Sequence, residues 1–373
     1  MNIDRKHIGQ TIRKVLSFAI KHILLLANLF FAQLYVFGVF STFVSPNRIV
    51  IFSYFGLIFP ILAIINVVFI AIWTFRRSWL ALISLVTIVF TYAHFNRVFT
   101  VPVYRLVHHS AEQSLKLMSY NILSVDGPKD FEGFLNFIDS VDADVVCFQE
   151  FGYYKKGNRP LERAMKERYP HSHIWYKTDK KTYCTGVATF SRYPIANKRL
   201  IDYESYSNLS IASDLVVGGD TIRLINNHLE SNKFTKAVLD EYNSLNDTIS
   251  QDRLVEVSTK MYHKLAKAYS IRAIQAVEVR QEIDRSPYIT VVCGDFNDVP
   301  ESYVYRKIKG DMRDVFTDTS WGYRYTYTKN RMLVGIDHVF IHKTLIPLSH
   351  TIPHVSYSDH YPVIVTFGNK SAK

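Results

Sequence analysis

The chain has 373 residues, of which 48% are hydrophobic and 21% are charged, and its formal net charge is +11. This composition excludes a disordered protein, and the length leaves room for more than one folded unit. Acidic residues are almost absent between Arg5 and His109, whereas the remainder has the balance of a globular protein. The two regions are therefore expected to face different solvents.

The first region contains three apolar stretches separated by short polar segments, at residues 20–40, 49–73 and 79–95. Each has about the length needed to cross a hydrocarbon core of about 30 Å. We therefore predict an N-terminal membrane region with three transmembrane helices in residues 1–105. Pro60 would kink the second helix, which membrane helices tolerate. The alternative is a set of buried helices in a soluble core.

Basic residues are concentrated before or at the start of the first stretch and between the second and third. They are Arg5, Lys6, Arg13, Lys14, Lys21, Arg76 and Arg77. Because cytoplasmic loops retain Lys and Arg, this pattern predicts a cytoplasmic N-terminus. Three crossings of the inner or plasma membrane then place the rest of the chain on the outer, periplasmic or extracytoplasmic side. If the third and shortest stretch does not cross, the rest lies in the cytoplasm.

From about Gln113 the pattern changes to short β-branched runs separated by turns and helices. Strand-like runs occur at residues 115–120, 145–148, 186–190, 211–217, 221–226, 288–292, 336–341 and 363–367, and helical spacing occurs at residues 131–141, 161–169 and 256–282. So many strands interspersed with helices predict an α/β fold in which two packed, mainly antiparallel sheets are flanked by helices, a four-layer α/β sandwich. The polar segment 232–256 is interpreted as an insertion or loop.

Polar side chains recur where these strands end. In chain order they are Asn121, Glu150, His228, Asp295, Asn297, Asp337, Asp359 and His360. A sandwich can bring such ends together at one mouth, where oxygen ligands without thiolates suit a hard cation such as Mg²⁺ or Mn²⁺. The histidines and carboxylates provide partners for proton transfer near neutral pH. These residue types predict metal-assisted hydrolysis of a phosphoester.

Six motifs carry these polar residues, in the order "LMSYNIL", "DVVCFQE", "NNHLE", "GDFND", "IDHVFI" and "YSDHYPV". Together they resemble the endonuclease/exonuclease/phosphatase superfamily, also called DNase I-like, over about residues 115–367. The resemblance implies that residues 106–373 form the catalytic domain of a Mg-dependent hydrolase that acts on phosphoester bonds. The resemblance does not include the apolar stretches, which separately predict that this domain is membrane-anchored.

The resemblance also implies roles for the residues at matching positions. Asn121 and Glu150 would help to hold the metal ion, with Asp359 close to it. Asp295 would orient or deprotonate the attacking water, and Asn297 would donate a hydrogen bond to a phosphate oxygen.

The histidines take the remaining roles that the resemblance implies. His360 would contact the scissile phosphate or transfer a proton, with Asp337 fixing its ring, and His228 would be a leaving-group acid or a phosphate donor. Leu123 stands where some nucleases of the family have an acid, which favours one metal ion rather than two. His338 lies on the opposite face of its strand if side chains alternate, which indicates a structural role.

The substrate class remains open between nucleic acid and a lipid headgroup. A basic surface is expected from Lys155, Lys156, Lys177, Lys180, Lys181 and Arg192. Such a surface suits phosphate-bearing partners or anionic lipid, and a nuclease-type phosphodiesterase is the first interpretation. The alternatives are a phosphohydrolase of phospholipid, sphingolipid or inositol phosphate, and a non-catalytic binding module. The expected partners are the substrate and the bilayer, and no obligate protein partner is inferred.

Overall fold

The computed structural model describes residues 5–101, 111–205, 207–232, 251–329 and 332–370. The expected domain boundary between residues 105 and 106 lies outside these ranges, and so does most of the polar segment 232–256. The N-terminal part contains the helices α1 (Arg5–Phe40), α2 (Ile51–Leu57), α3 (Phe59–Phe75), α4 (Ala81–Phe90) and α5 (Tyr92–Val98). We call this part the helical region.

Helices α1, α3 and α4 form an antiparallel bundle. Tyr35, in the second half of α1, packs in one apolar cluster with Phe59 at the start of α3 and Ile88 near the end of α4. At the other end of the bundle, Leu24 of α1 packs with Trp73 near the end of α3. The basic N-terminal half of α1 therefore extends from the end of the bundle at which α3 finishes.

A buried polar network joins the three helices in the middle of this bundle. Asn28 Nδ2 of α1 donates to Ser84 Oγ of α4 (2.6 Å), and Ser84 Oγ donates to Asn66 Oδ1 of α3 (2.8 Å). Trp73 Nε1 donates to Asn28 Oδ1 (3.0 Å). Hydrogen bonds of this kind stabilise helix association where water is absent.

Where the sequence predicts three transmembrane helices, the described part of the helical region has one continuous helix of spanning length and two bent helix pairs. Among the described residues one helix is long and apolar enough to cross a membrane, and its apolar segment is Gly9–Phe40. The second and third stretches are each two helices, bent by 64° between α2 and α3 and by 82° between α4 and α5. Up to three spans result only if each bent pair is one span.

The chain leaves the helical region through the short strand β1 (Phe99–Thr100) and then forms most of its strands. These are β2 (Ala111–Val125), β3 (Val145–Tyr154), β4 (His171–Asp179), β5 (Tyr183–Ser191), β6 (Ile195–Ile201), β7 (Leu209–Val217), β8 (Asp220–His228), β9 (Ile289–Asp295), β10 (Arg313–Asp314), β11 (Gly322–Tyr323), β12 (Asp337–Ile341), β13 (Leu345–Thr351) and β14 (Val363–Lys370). The accompanying helices are α6 (Phe131–Val141), α7 (Pro160–Arg168), α8 (Gln251–Asp284), α9 (Tyr303–Lys309) and α10 (Val315–Thr319).

Within the described residues these strands form two six-stranded sheets, and β1 pairs separately with β11. The strand orders are β13-β14-β2-β3-β5-β4 and β10-β12-β9-β8-β7-β6. Each sheet has one parallel pair at its centre, β2 with β3 and β8 with β9. Those pairs are connected through helices α6 and α8, as parallel strands require a crossover.

Apolar side chains on both faces of the central strands hold the layers together. Leu117 of β2 packs between the sheets with Cys293 of β9, while Met118, the next residue of β2, packs outward with Phe134 of α6. On the opposite side, Val279 of α8 packs on the second sheet. The predicted α/β sandwich, two sheets flanked by helices, is confirmed.

Candidate functional site

The central parallel strands bring polar side chains to one end of the two packed sheets. We call this end the mouth of the sandwich. Glu150 lies in β3, His228 ends β8 and Asp295 ends β9. His228 is paired in register with Asp295, and Asp295 with Asp337 at the start of β12. The carboxyl ends of parallel strands lie at the same edge of a sheet, and residues from all six motifs meet there.

Glu150 is turned into the mouth by a bulge in β3. The pairing of β3 with β5 shifts register between Gln149 and Phe151, and Glu150 has a positive φ of 53°. Gln149 and Phe151 are buried, whereas the side chain of Glu150 is 33% exposed. A bulge re-aims a side chain out of the sheet pattern, and backbone strain of this kind is concentrated at functional sites.

Asn121 joins the carboxylates of the two sheets. Its Nδ2 donates to Glu150 Oε1 (3.3 Å) and to Asp295 Oδ2 (3.0 Å). Its Oδ1 accepts from the backbone N of Leu123 (3.1 Å). Asn121 is buried, so it fixes the separation of the two acids.

His228 is held neutral beside the same acids. Its Nε2 accepts from Asn208 Nδ2 (3.0 Å) and lies 3.6 Å from Glu150 Oε1 and 3.8 Å from Asp295 Oδ2. Burial lowers the pKa of His228 despite the neighbouring carboxylates. In this arrangement Nε2 is an acceptor, so His228 carries no proton on that atom to donate.

Asp295 is the most enclosed acid of the mouth. Burial and the adjacent charge of Asp337 raise its pKa to about 6. Asn297 follows it with a φ of 51° and donates from its backbone N to Asp295 Oδ1 (2.7 Å) and from Nδ2 to Asp295 Oδ2 (3.2 Å). A carboxylate with a pKa near neutrality is suited to accept a proton from water.

His360 and Asp337 form a buried pair. His360 Nδ1 lies 2.9 Å from Asp337 Oδ2, and His360 Nε2 lies 3.9 Å from Asp295 Oδ2. Burial would lower the pKa of His360, but Asp337 and Asp295 outweigh it and raise that pKa to about 10. The imidazolium is therefore the stable form at neutral pH.

Asp359 lies at the rim and faces a lysine. Lys329 Nζ is 3.2 Å from Asp359 Oδ2. The preceding Ser358 Oγ donates to the backbone O of Asn121 (2.8 Å), which fastens this segment to β2. The sequence identified Asp359 but missed Lys329, for which no motif gives a signal.

The acids of the mouth fit a hard divalent cation. Burial raises the pKa of Glu150 and of Asp295, and a bound cation would favour both in their charged forms. Among the described residues, the ligand atoms of Asp295, Asp337 and His360 lie within 4.8 Å of one another. Since His360 is protonated there, it is not a ligand in that state, and the oxygen donors are left for the ion.

His338 lies outside the mouth, as alternation along β12 predicts. Its ring packs edge-on against Phe296 and Tyr305, and its Nε2 lies 2.8 Å from the backbone O of Asp298. Burial lowers the pKa of His338 to about 3. Its role here is packing and support for the loop after β9.

Comparison with known protein families gives two matches. The model of the Endonuclease/Exonuclease/phosphatase family matches residues 118–360, and a model described as a domain of unknown function matches residues 21–98. No curated protein matches the chain.

Several solved structures are similar to this chain. The endonuclease/exonuclease/phosphatase from Beutenbergia cavernae is 15% identical over 70% of this chain and 73% of its own, with a TM-score of 0.47. The human Nocturnin catalytic domain is 16% identical over 73% and 100%, with a TM-score of 0.46. Sphingomyelinase C from Streptomyces griseocarneus is 17% identical over 69% and 100%, with a TM-score of 0.46.

Proposed function

The chain belongs to the endonuclease/exonuclease/phosphatase family of phosphoester hydrolases, and we propose that it hydrolyses phosphodiester bonds with one divalent metal ion, Mg²⁺ or Mn²⁺. The observation that carries this proposal is the meeting of Asn121, Glu150, Asp295 and the His360–Asp337 pair at one mouth. Glu150, with Asn121 and Asp359 nearby, would hold the ion. When bound, the ion offsets charge that develops on the phosphoryl group.

The residues of the chain supply the remaining chemistry. The charged ring of His360 contacts a phosphate oxygen or protonates the leaving oxygen, and Asp337 holds that ring by Nδ1. Asp295 takes the proton of the attacking water, because its pKa lies close to neutrality. Asn297 keeps Asp295 oriented, since its Nδ2 donates to Asp295 Oδ2 (3.2 Å) and to Leu229 O (3.0 Å), and His228 lies beside the acids in its neutral form.

Basic and aromatic side chains near the carboxyl end of β3, the strand that contains Glu150, favour a nuclease-type substrate. Lys155 follows β3 at its carboxyl end, and its backbone N donates to Thr182 O in the β4–β5 hairpin, where Lys181 is exposed. Tyr154, which precedes Lys155, is exposed, and so is Trp175 of edge strand β4. Aromatic rings and lysines suit the bases and backbone of a nucleic acid strand. Arg192, in contrast, ion-pairs with Asp142 at the other end of the sheet.

A lipid phosphodiester is the second candidate, and the surface of the helical region favours it. Large apolar side chains there are widely exposed, such as Leu26 at 67% and Phe90 at 86%. Exposed apolar surface of this extent suits a membrane. A domain held at the bilayer meets headgroups at high effective concentration.

We further propose that residues 1–105 anchor the chain in the inner or plasma membrane, with the N-terminus in the cytoplasm and the catalytic domain, residues 106–373, on the outer side. Support comes from the bundle, because Arg76 and Arg77 follow α3 at the end from which the basic half of α1 extends. Reporter fusions after Lys14 and after Arg77 should both give cytoplasmic signals. A periplasmic signal at either position contradicts this orientation.

A substrate panel separates the two candidates. The purified full chain in detergent, with Mg²⁺, is offered plasmid DNA, RNA, and vesicles of sphingomyelin or phosphatidylcholine. Replacement of Lys155 and Lys156 by Glu should slow nucleic acid cleavage and leave a small diester unaffected, while Lys343→Glu, on an exposed residue paired with Asp311, is the control. Turnover of lipid alone overturns the nuclease-type assignment.

A further inference from the structure

The loop that follows Asp295 joins the candidate site to the helical region. Its residue Glu301 is buried, with 1% of its side chain exposed. His94 Nδ1 of α5 lies 2.7 Å from Glu301 Oε2, and Arg97 Nη1 of α5 lies 3.4 Å from Glu301 Oε1. Two side chains of the helical region therefore contact a carboxylate of the catalytic part.

The backbone of Glu301 is held by the same region. Ser41 Oγ, just after α1, donates to the Glu301 backbone O (2.6 Å). Gly56 of α2 lies so close to that oxygen that any side chain at this position would overlap it. Side chain and backbone are thus fixed from three different segments of the helical region.

The other end of the loop is fixed to the site. Asn297 donates to both oxygens of Asp295, and Asp298 Oδ2 accepts from Nε of the buried Arg272 (3.2 Å). Few residues separate Asn297 from Glu301. A shift at Glu301 therefore passes along a short, tightly bonded segment to the groups that hold Asp295.

We propose that Glu301 is a positioning residue of the hydrolytic site, through which the helical region holds the loop at residues 296–302 and with it Asp295 in its working position. This inference rests on the proposed function. With this role of Glu301, the helical region supports catalysis in addition to anchoring the chain. A displacement of a reacting group by about 1 Å is enough to cost about 100-fold in rate.

A merely structural ion pair would lower stability without a selective effect on turnover. The matched control is Asp214→Asn, because Asp214 is another buried carboxylate and accepts from Arg223 Nε (2.8 Å) and Nη2 (3.0 Å). Asp214 lies in β7 five residues from Leu209, the partner of His228 in the sheet, or about 17 Å along the strand.

The experiment compares Glu301→Gln with Asp214→Asn in the purified full chain. We expect Glu301→Gln to lower kcat for bis-p-nitrophenyl phosphate by about 10- to 100-fold with KM unchanged, and to speed hydrogen exchange in peptides covering residues 289–302. Asp214→Asn should change neither kcat nor hydrogen exchange in these peptides, even if it lowers the melting temperature as much as Glu301→Gln does. Unchanged kcat or unchanged exchange in Glu301→Gln overturns the inference.

Two further variants test whether the positive charge of Arg97, which contacts Glu301, is required. Arg97→Lys should retain most of the wild-type kcat, whereas Arg97→Met should resemble Glu301→Gln, and equal kcat in both would overturn the inference. If the wild type turns over no phosphodiester, the proposed function fails. Exchange in residues 289–302 then decides the inference about Glu301 by itself.

Discussion

His360 Nδ1 lies 2.9 Å from Asp337 Oδ2, although the two residues come from different motifs. Asp337 begins β12, and its backbone N donates to Thr326 Oγ1 (3.1 Å), which fixes the start of that strand. The ring of Tyr327 packs against His360 at a centroid distance of 5.0 Å. The pair places a charged imidazole within 4 Å of Asp295.

Asp337→Asn should move the alkaline limit of activity to lower pH. The carboxylates of Asp337 and Asp295 raise the pKa of His360 to about 10, so the charged ring persists up to that pH. Without the Asp337 charge this pKa falls, and the charged form is lost earlier as pH rises. The check is the pH profile of kcat for a small diester, with Asp214→Asn as the control. An unshifted alkaline limb would rule out this role for Asp337.

Asn121→Ala should weaken metal binding by about 10- to 100-fold, the usual loss when a group that orients ligands is removed. Asn121 donates to both Glu150 and Asp295, and without it the two carboxylates repel each other and separate. Isothermal titration calorimetry of the full chain with Mn²⁺ measures the change in Kd. Asn197→Ala, on edge strand β6, is the control. Equal Kd values in Asn121→Ala and wild type would contradict the assigned position of the ion.

Protonation of two buried histidines should work against the folded state as pH falls below about 6.5. Burial lowers the pKa of His173 to about 4 and of His338 to about 3, whereas both take up protons near pH 6.5 in the unfolded chain. At these two histidines, the unfolded state therefore binds more protons than the folded state below about pH 6.5. Each histidine should reduce the free energy of unfolding by about 1.4 kcal/mol per pH unit, down to its own pKa.

The melting temperature of the full chain in EDTA, measured from pH 7 to pH 4.5, tests this. We expect the melting temperature of His173→Gln to rise relative to that of the wild type as pH falls, because the variant has no buried imidazole to protonate. His173 Nδ1 lies 2.9 Å from Ser213 Oγ, and glutamine keeps a polar partner there. A difference between the two melting temperatures that stays constant over this range would contradict neutral burial of His173.

Asn66→Leu should weaken the helical bundle by about 1–2 kcal/mol, the scale of a hydrogen bond between membrane helices. The substitution removes the acceptor of Ser84 Oγ. Thermal unfolding in detergent, followed by circular dichroism, gives the effect. Ile64→Ala, at a side chain of the same helix that is 52% exposed, should have a smaller effect. A larger loss in the control would show that the polar network does not hold the bundle.

The site could be predicted in part because its residues follow apolar runs. Asp295 ends β9, whereas Asn121 and Glu150 lie inside β2 and β3 where the strand pairing shifts register, and the packing of the two sheets brings them to Asp295. Lys329 and Asn208 were not predicted, because their contacts with Asp359 and His228 come from loop positions that no periodicity marks.

The helical region shows a second limit of the sequence. Mean hydropathy identifies apolar stretches, but it does not register the bends between α2 and α3 and between α4 and α5. The contact between His94 and Glu301 joins residues 207 positions apart, and no local sequence pattern predicts it. Strands β4, β6 and β13 were also missed, since these edge strands carry many polar residues.

The central claim is that these side chains share one metal ion and one phosphate, and hydrolysis of bis-p-nitrophenyl phosphate by the purified full chain tests it most directly. We predict turnover with Mg²⁺ or Mn²⁺, none in EDTA, recovery when the metal is restored, and losses of about 100-fold or more in folded Glu150→Gln and His360→Ala. A wild type without metal-dependent turnover, or variants as active as the wild type, would contradict the account.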